Sequence, residues 1–183
     1  MKIGRIIGFA ITGLCFGVLV QGEPIEFEIG QTATQEDIQG WNIDVTPNGD
    51  GLPNGQGSVD EGAKVYAAKC AGCHGPTGVE GPYNRLVGGQ GSLGTDRPHK
   101  TVGSYWPYAT TLFDYIFRAM PLTAPQSLSA NKVYALVAWI LYRNDIIDEN
   151  MVLDRFTLPT IHMPNRHGFQ ISPHMGISLP TSP

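Results

Sequence analysis

Cys70-Ala71-Gly72-Cys73-His74 is the stretch of sequence that determines how the rest of this chain is interpreted. In the pattern C-x-x-C-H, two thiols can add across the two vinyl groups of a porphyrin, and the histidine that follows can ligate the iron. A zinc half-site would need a second pair of cysteines or histidines at ligand spacing. A thioredoxin-like redox pair would need a strand-helix-strand context, and none is visible. The motif therefore predicts one haem c, attached through Cys70 and Cys73 and ligated by His74.

The composition favours a small helical core with long loops. The 183 residues include 23 glycines and 14 prolines, which indicates many turns and little regular structure. The formal net charge is −4, and Lys2 and Arg5 are the only charged residues before Glu23, so a chain that begins at Glu23 would carry −6. Because phosphate backbones attract basic proteins, we expect no binding to nucleic acid. The predicted fold class is mainly α, a small helical bundle around the covalently attached haem, with extended N- and C-terminal arms.

Residues 1–22 have the features of a secretory signal peptide. Lys2 and Arg5 precede an apolar run at residues 6–20, and small residues at 20–22 predict cleavage after Gly22. The run is shorter than the roughly 20 apolar residues of a membrane span, although an uncleaved anchor is the alternative. Cys15 could suggest a lipidated terminus, but the leucine before it is larger than the residue usual at that position. We therefore predict an exported, periplasmic protein with no stable membrane span after cleavage.

The remaining chain divides into three predicted parts. Residues 23–57 form an N-terminal extension that ends in a run of glycine, proline and asparagine. Residues 58–143 contain the C-x-x-C-H motif and form the haem-binding domain. Residues 144–183 form an extended C-terminal tail.

Two helices are predicted within the central domain. Ser58 and Glu61 have the spacing of a capping box, so a helix should run from about Val59 into Cys70. Gly62 and Tyr66 share one face of it, which offers a notch and an aromatic ring to a crossing helix. Ser129 can cap a second helix, which is apolar almost all round and is expected to lie between the haem and the first helix. This second helix is predicted over about Ala130 to Arg143.

The loop that follows the motif is rich in glycine between Gly75 and Gly89, and is suited to lie along a haem edge. The backbone carbonyl of Pro82 is predicted to accept a hydrogen bond from the second ring nitrogen of His74. Arg85 is either the partner of a haem propionate or a solvated side chain.

Met120 is the predicted second axial ligand. It follows a helix-like run from Thr110 to Arg118, and Pro121 restricts it to an extended backbone that can hold the thioether against the iron. The other methionines after the signal are Met151, Met163 and Met175. Tyr105 and Trp106 are candidates for packing on the haem edge and donating to a propionate, with ordinary burial as the alternative.

The order of these elements resembles that of class I c-type cytochromes over about Ser58 to Arg143, so residues 58–143 are predicted to be a cytochrome c domain. A narrower similarity connects the chain to the SoxD family, the cytochrome subunit of Sox-type sulfane (sulfite) dehydrogenase. It lies in residues 33–34, 41–45, 51–53, 100–111, 157–159 and 163–166. The resemblance implies single-electron transfer in thiosulfate oxidation, with a molybdenum-containing dehydrogenase subunit and another cytochrome or electron acceptor as partners. Larger members of the family carry a second haem domain, whereas this chain has one attachment motif.

Two other functions stay open at this point. One is a free-standing soluble electron carrier. The other is a haem enzyme that oxidises a sulfur compound through a displaceable axial ligand. The resemblance favours an electron-transfer subunit over a catalyst acting by itself, and no catalytic residue is assigned.

The tail has several apolar side chains but no helical period, so those side chains need a surface to bury against. That surface is either the chain's own domain or another protein. The resemblance within Thr157 to Arg166 favours docking on the dehydrogenase subunit through an extended arm. Residues after Gln170 are predicted to be disordered.

Overall fold

The computed structural model describes residues 29–170, so the predicted signal peptide, the segment after Gln170 and Met175 lie outside the described residues. The chain divides into two compact units, of which the first ends at Thr34 and the second begins at Gln35. The described elements of the second unit are helices α1 (Gln35–Trp41), α2 (Val59–Lys69), α3 (Ala71–His74), α4 (Ala109–Ala119) and α5 (Ala130–Arg143), strands β1 (Gln56–Ser58) and β2 (Val152–Asp154), and 3-10 turns Ser92–Gly94 and Leu158–Thr160. The predicted mainly α class is confirmed. Between residues 29 and 170, no helix is both long and apolar enough to cross a membrane.

Helix α2 begins where the capping box predicts. The Glu61 amide donates to Ser58 Oγ at 3.3 Å, and the Ser58 amide donates to Glu61 Oε2 at 2.9 Å, so two amides of the first turn are satisfied. The hydrogen bond from the Ser58 amide lowers the pKa of the Glu61 carboxyl below its usual value.

Helices α2 and α5 cross at the predicted notch. A Cβ atom at Gly62 would overlap the carbonyl oxygen of Ala135, so only glycine allows this approach. One turn later the Tyr66 ring stacks on Trp139, with centroids 3.8 Å apart and planes inclined by 26°. Helix α5 is buried on nearly every side, as its sequence predicts.

The N-terminus of α5 differs from the prediction in one respect. Ser129 occupies the capping position, but its side chain makes no capping hydrogen bond. Its backbone carbonyl instead accepts from the Val133 amide at 3.1 Å, which is the first bond of the helix itself. Packing of the apolar side chains therefore stabilises α5 more than a cap does.

Helix α4 packs on the core and also binds the chain segment that precedes α2. Its apolar face carries Leu112, Phe113 and Ile116, all buried. Asp114 accepts from the Val45 amide at 2.8 Å and from Nε of Arg118 at 2.8 Å. Although burial opposes it, the hydrogen bonds from Arg118 and Val45 lower the pKa of the Asp114 carboxyl. The extension before Ser58 is thus held to α4 by a backbone-to-carboxylate contact.

The segment from Val152 to Asn165 packs on its own domain. Strands β1 and β2 pair antiparallel, with Gly57 opposite Leu153, and Leu153, Leu158 and Met163 lie in the central core. This corrects the expectation that this part of the tail docks on another chain. The apolar side chains of the tail find cover in a core that also receives Val45 and Leu52 from the N-terminal side.

Candidate haem site

The C-x-x-C-H motif forms a single helical turn at the end of α2. The amides of Cys73 and His74 both donate to the carbonyl of Cys70 at 3.0 Å. Residues three apart on a helix share a face, so the two thiols lie near each other. Both cysteines are free thiols, with Cys73 exposed and Cys70 partly buried. Burial, and then the neighbouring Cys73, raise the pKa of the Cys70 thiol to about 11.

The imidazole of His74 is fixed by the loop that follows. Its Nδ1 atom lies 2.8 Å from the backbone carbonyl oxygen of Asn84. Because a carbonyl oxygen can only accept, Nδ1 carries the proton and Nε2 keeps the lone pair that a metal ligand requires.

The prediction that Pro82 provides this carbonyl is wrong. Gly81 packs directly against the carbonyl of Cys73, where a Cβ atom would overlap it, and the Tyr83 amide donates to the same carbonyl at 3.2 Å. The loop is therefore held to the backbone of the motif through Tyr83. Only the next residue, Asn84, turns its carbonyl toward the imidazole ring.

Several hydrogen bonds fix the loop to the two core helices. The hydroxyl of Tyr66 donates to the carbonyl of Gly75 at 2.9 Å, directly after the histidine. The side chain of Asn144 is buried at the end of α5; it accepts from the Gly88 amide at 2.9 Å and donates to the Leu86 carbonyl at 3.2 Å. Both ends of the loop are thus tied to helices that pack on each other.

Met120 stands directly after α4 with an extended backbone, φ −120° and ψ 146°, as expected for the residue before a proline. Its side chain packs against the core while remaining partly exposed. By contrast, Met163 is 1% exposed and belongs to the core, and Met151 is 37% exposed. Of these three methionines, Met120 combines partial burial with an open side.

Arg85, Tyr105 and Trp106 occupy different environments. Arg85 is exposed. Tyr105 is partly buried, and its ring lies 5.2 Å from Lys100 Nζ and makes an edge contact with Phe169 at 5.1 Å between centroids. Trp106 packs against the core and meets Tyr115 edge-on at 5.8 Å. Contacts of these three residues with haem propionates stay predictions.

The donor set and its surroundings fit a haem. Two free thiols adjoin an imidazole with an available Nε2, and a porphyrin needs an apolar face beside them. Several apolar side chains pack against the core yet remain partly exposed, and six of them come from the motif, the glycine-rich loop and the segment from Trp106 to Met120: Cys70, Ala71, Leu86, Trp106, Phe117 and Met120. Within residues 29–170, no three side chains of His, Cys, Asp or Glu cluster as ligands for a bare metal ion.

The role of Asn84 could not be predicted from the sequence, because it binds His74 through its backbone carbonyl and not through its side chain. Asn144 was also missed. The signal that was available for it is its position directly after the last turn of α5, where an amide side chain can reach unpaired backbone groups.

Residues 57–140 match a protein-family model described as cytochrome c oxidase, cbb3-type, subunit III. The fold and the donor set define the class: this is a c-type cytochrome, and its cytochrome c domain implies covalently bound haem c. The crystal structure of the sulfane dehydrogenase SoxCD from Paracoccus pantotrophus contains a similar chain, with 36% identity and a TM-score of 0.76, covering 86% of this chain and 81% of that chain. The chain belongs to the family of SoxD, the cytochrome subunit of SoxCD, which confirms the resemblance found in the sequence. No curated protein matches the sequence.

Proposed function

We propose that this chain is a periplasmic, mono-haem c-type cytochrome that transfers single electrons as the cytochrome subunit of a molybdenum-dependent sulfane or sulfite dehydrogenase in thiosulfate oxidation. The observation that carries the proposal is the helical turn Cys70–His74, with its imidazole fixed by Asn84, in a chain that is 36% identical to a chain of SoxCD. One attachment motif supports one haem per chain.

The residues of the site have distinct tasks in this proposal. Cys70 and Cys73 would hold the porphyrin as thioethers, and His74 and Met120 would ligate the iron. Haem bound in this way supplies a one-electron couple. The carbonyl of Asn84 keeps Nδ1 of His74 protonated and makes Nε2 the better donor. With both ligands supplied by these two side chains, the iron would have no position left for a substrate.

The similarity to SoxCD supports a particular electron route in this proposal. The molybdenum-containing subunit oxidises the sulfur compound and passes electrons one at a time to this cytochrome, which passes them to another cytochrome or acceptor. The acidic charge of the chain would favour partner surfaces with basic side chains around the haem edge. Export, through the predicted signal peptide, would bring the chain to the compartment where haem c is attached and keep it with its partner.

Attachment of the haem is tested with the variant Cys70→Ala/Cys73→Ala, produced with a haem-maturation system. We expect no covalent haem and little folded protein, since the porphyrin would cover the partly exposed apolar face. Covalent haem in the double variant would contradict the assignment.

The function is tested by isolating the tagged native protein and identifying what accompanies it. We expect a molybdenum-containing subunit, and reduction of the low-spin haem when a sulfane substrate is added to the isolated complex. A chain that purifies alone would instead be a free-standing carrier. A high-spin iron that binds sulfur ligands would indicate a haem enzyme.

A further inference from the structure

Outside the haem site, two imidazoles of the tail lie close together. The rings of His162 and His167 have centroids 6.3 Å apart and planes inclined by 56°. Both side chains are exposed, and neither has a task in the haem site described above. The pair is therefore open to a ligand from solvent.

The loop that carries this pair is fixed at its base. Met163 is buried in the core directly after the first histidine. The Arg166 amide donates to the Met163 carbonyl at 3.1 Å, and the side-chain amide of Asn165 donates to the Tyr105 carbonyl at 2.7 Å. Because the loop backbone is already fixed, binding of a ligand by both rings would cost the protein little conformational entropy.

The charge of the loop is also compatible with a cation. Arg166 lies between the two histidines in sequence, but its guanidinium group is placed over the ring of Tyr108, 4.9 Å from the centroid. That charge interacts with an aromatic face on another segment. Each of the two imidazole rings can offer a nitrogen lone pair to a metal ion.

The spacing of the rings suits one metal ion. A ring bound to zinc has its centre about 3.2 Å from the ion, so two rings around one ion lie about 5 to 6 Å apart. The observed 6.3 Å is slightly wider than this range, so a small side-chain rotation would have to bring the rings nearer to bind one ion. Imidazole ligands favour Zn²⁺ and Cu²⁺ over Mg²⁺ or Ca²⁺.

We propose that His162 and His167 form a surface site for one divalent transition-metal ion of the Zn²⁺ class, with water in the remaining positions. No third His, Cys, Asp or Glu joins them to make a larger cluster in the part of the chain that the structure describes. The site is therefore open and exchangeable, unlike a structural zinc site with four protein ligands. A bound metal ion would connect His162 and His167, the two ends of the loop whose Asn165 side chain donates to the Tyr105 carbonyl.

The test uses the full, haem-loaded chain and Zn²⁺ in isothermal titration. We expect one ion per chain, and an affinity lower by about tenfold or more in His162→Ala and in His167→Ala, since each removes one of two ligands. His99→Ala is the matched control, because His99 is also an exposed loop histidine, and it should bind as the unmodified chain does. Haem absorbance spectra confirm that each variant is folded.

Thermal unfolding gives a second readout. Zn²⁺ should raise the Tm of the unmodified chain and of His99→Ala, and should raise the Tm of the two site variants less, because stabilisation increases with the affinity of the folded state for the metal. Absence of binding by the unmodified chain, or binding by either site variant that is as tight as that of the unmodified chain, would overturn the proposal.

Discussion

Nδ1 of His74 and the carbonyl oxygen of Asn84 are 2.8 Å apart, although the two residues are ten positions apart in the chain. The contact fixes which ring nitrogen is protonated, and therefore which nitrogen faces a metal. It also couples the ligand to the glycine-rich loop, which is in turn tied to α2 by Tyr66 and to α5 by Asn144. The orientation of the imidazole thus depends on the packing of the two core helices.

Replacement of Met120 by alanine should remove the sulfur-to-iron charge-transfer band of the ferric protein and lower the reduction potential, since a thioether ligand favours reduced iron. Absorbance in the near infrared and potentiometry measure the two effects. Met151→Ala is the control and should keep the band, because this side chain is exposed on the tail. Survival of the band in Met120→Ala would assign the ligand to Met151, Met163 or Met175.

Gly62→Ala should destabilise the protein by about 1–3 kcal/mol or more, because the added methyl group overlaps the carbonyl of Ala135 where α2 crosses α5. Gly40→Ala is a matched control in α1, since nothing lies within 4 Å of the added atom. There the change should be neutral or stabilising by up to about 1 kcal/mol. Urea unfolding followed by circular dichroism gives both values, and equal effects at the two positions would refute the close crossing.

A chain that ends at Asn150 should not fold stably. It lacks β2 and four core side chains, Leu153, Leu158, Ile161 and Met163. The loss of each large core side chain costs about 2–5 kcal/mol against a total stability of about 5–15 kcal/mol. A chain that ends at Gln170 keeps all of these and is the control. The haem spectrum and thermal unfolding distinguish the two. An intact spectrum with weakened binding to the dehydrogenase subunit in the shorter chain would show instead that the tail serves the partner.

Tyr66 should make stability fall in alkaline solution. Burial raises the pKa of its phenol to about 12, from an ordinary value of 10.0. A pKa raised in the folded state gives a contribution that is complete below pH 10 and is lost as the pH rises to 12. In Tyr66→Phe, the free energy of unfolding should therefore decrease less between pH 10 and 12 than in the unmodified protein. Tyr83→Phe, at an exposed ring, should behave as the unmodified protein; identical slopes in all three would contradict the prediction.

The sequence was most informative where the signal is local. The capping box at Ser58 and the glycine four residues before Tyr66 defined the start of α2 and its contact face, and both depend on residues one turn apart. Ser129 shows the limit of such signals, because its position was correct and its side chain makes no cap.

Non-local contacts were harder to predict. The acceptor for His74 is a backbone carbonyl, which has no signature in the side chains, and the choice between Pro82 and Asn84 depends on how the loop turns at Gly81. The tail has no periodicity, so its apolar residues showed a need for burial without showing where. The structure shows that these residues pack on their own domain, where Gly57 lies opposite Leu153. This pairing joins segments that are far apart in the chain and could not be predicted from local sequence.

The pairing of β1 with β2 has a consequence for the order of events during synthesis. Strand β1 (Gln56–Ser58) cannot pair until β2 (Val152–Asp154) has been synthesised. The C-x-x-C-H motif therefore emerges in the nascent polypeptide long before the sheet can form. We therefore expect the maturation machinery to meet an open chain whose thiols are still accessible. Ribosome-stalled chains that end before Val152 should be cleaved rapidly by protease while their cysteines react with a thiol reagent, whereas the complete chain with haem attached should resist cleavage. The late formation of β2 thereby keeps Cys70 and Cys73 accessible for haem attachment until the fold is complete.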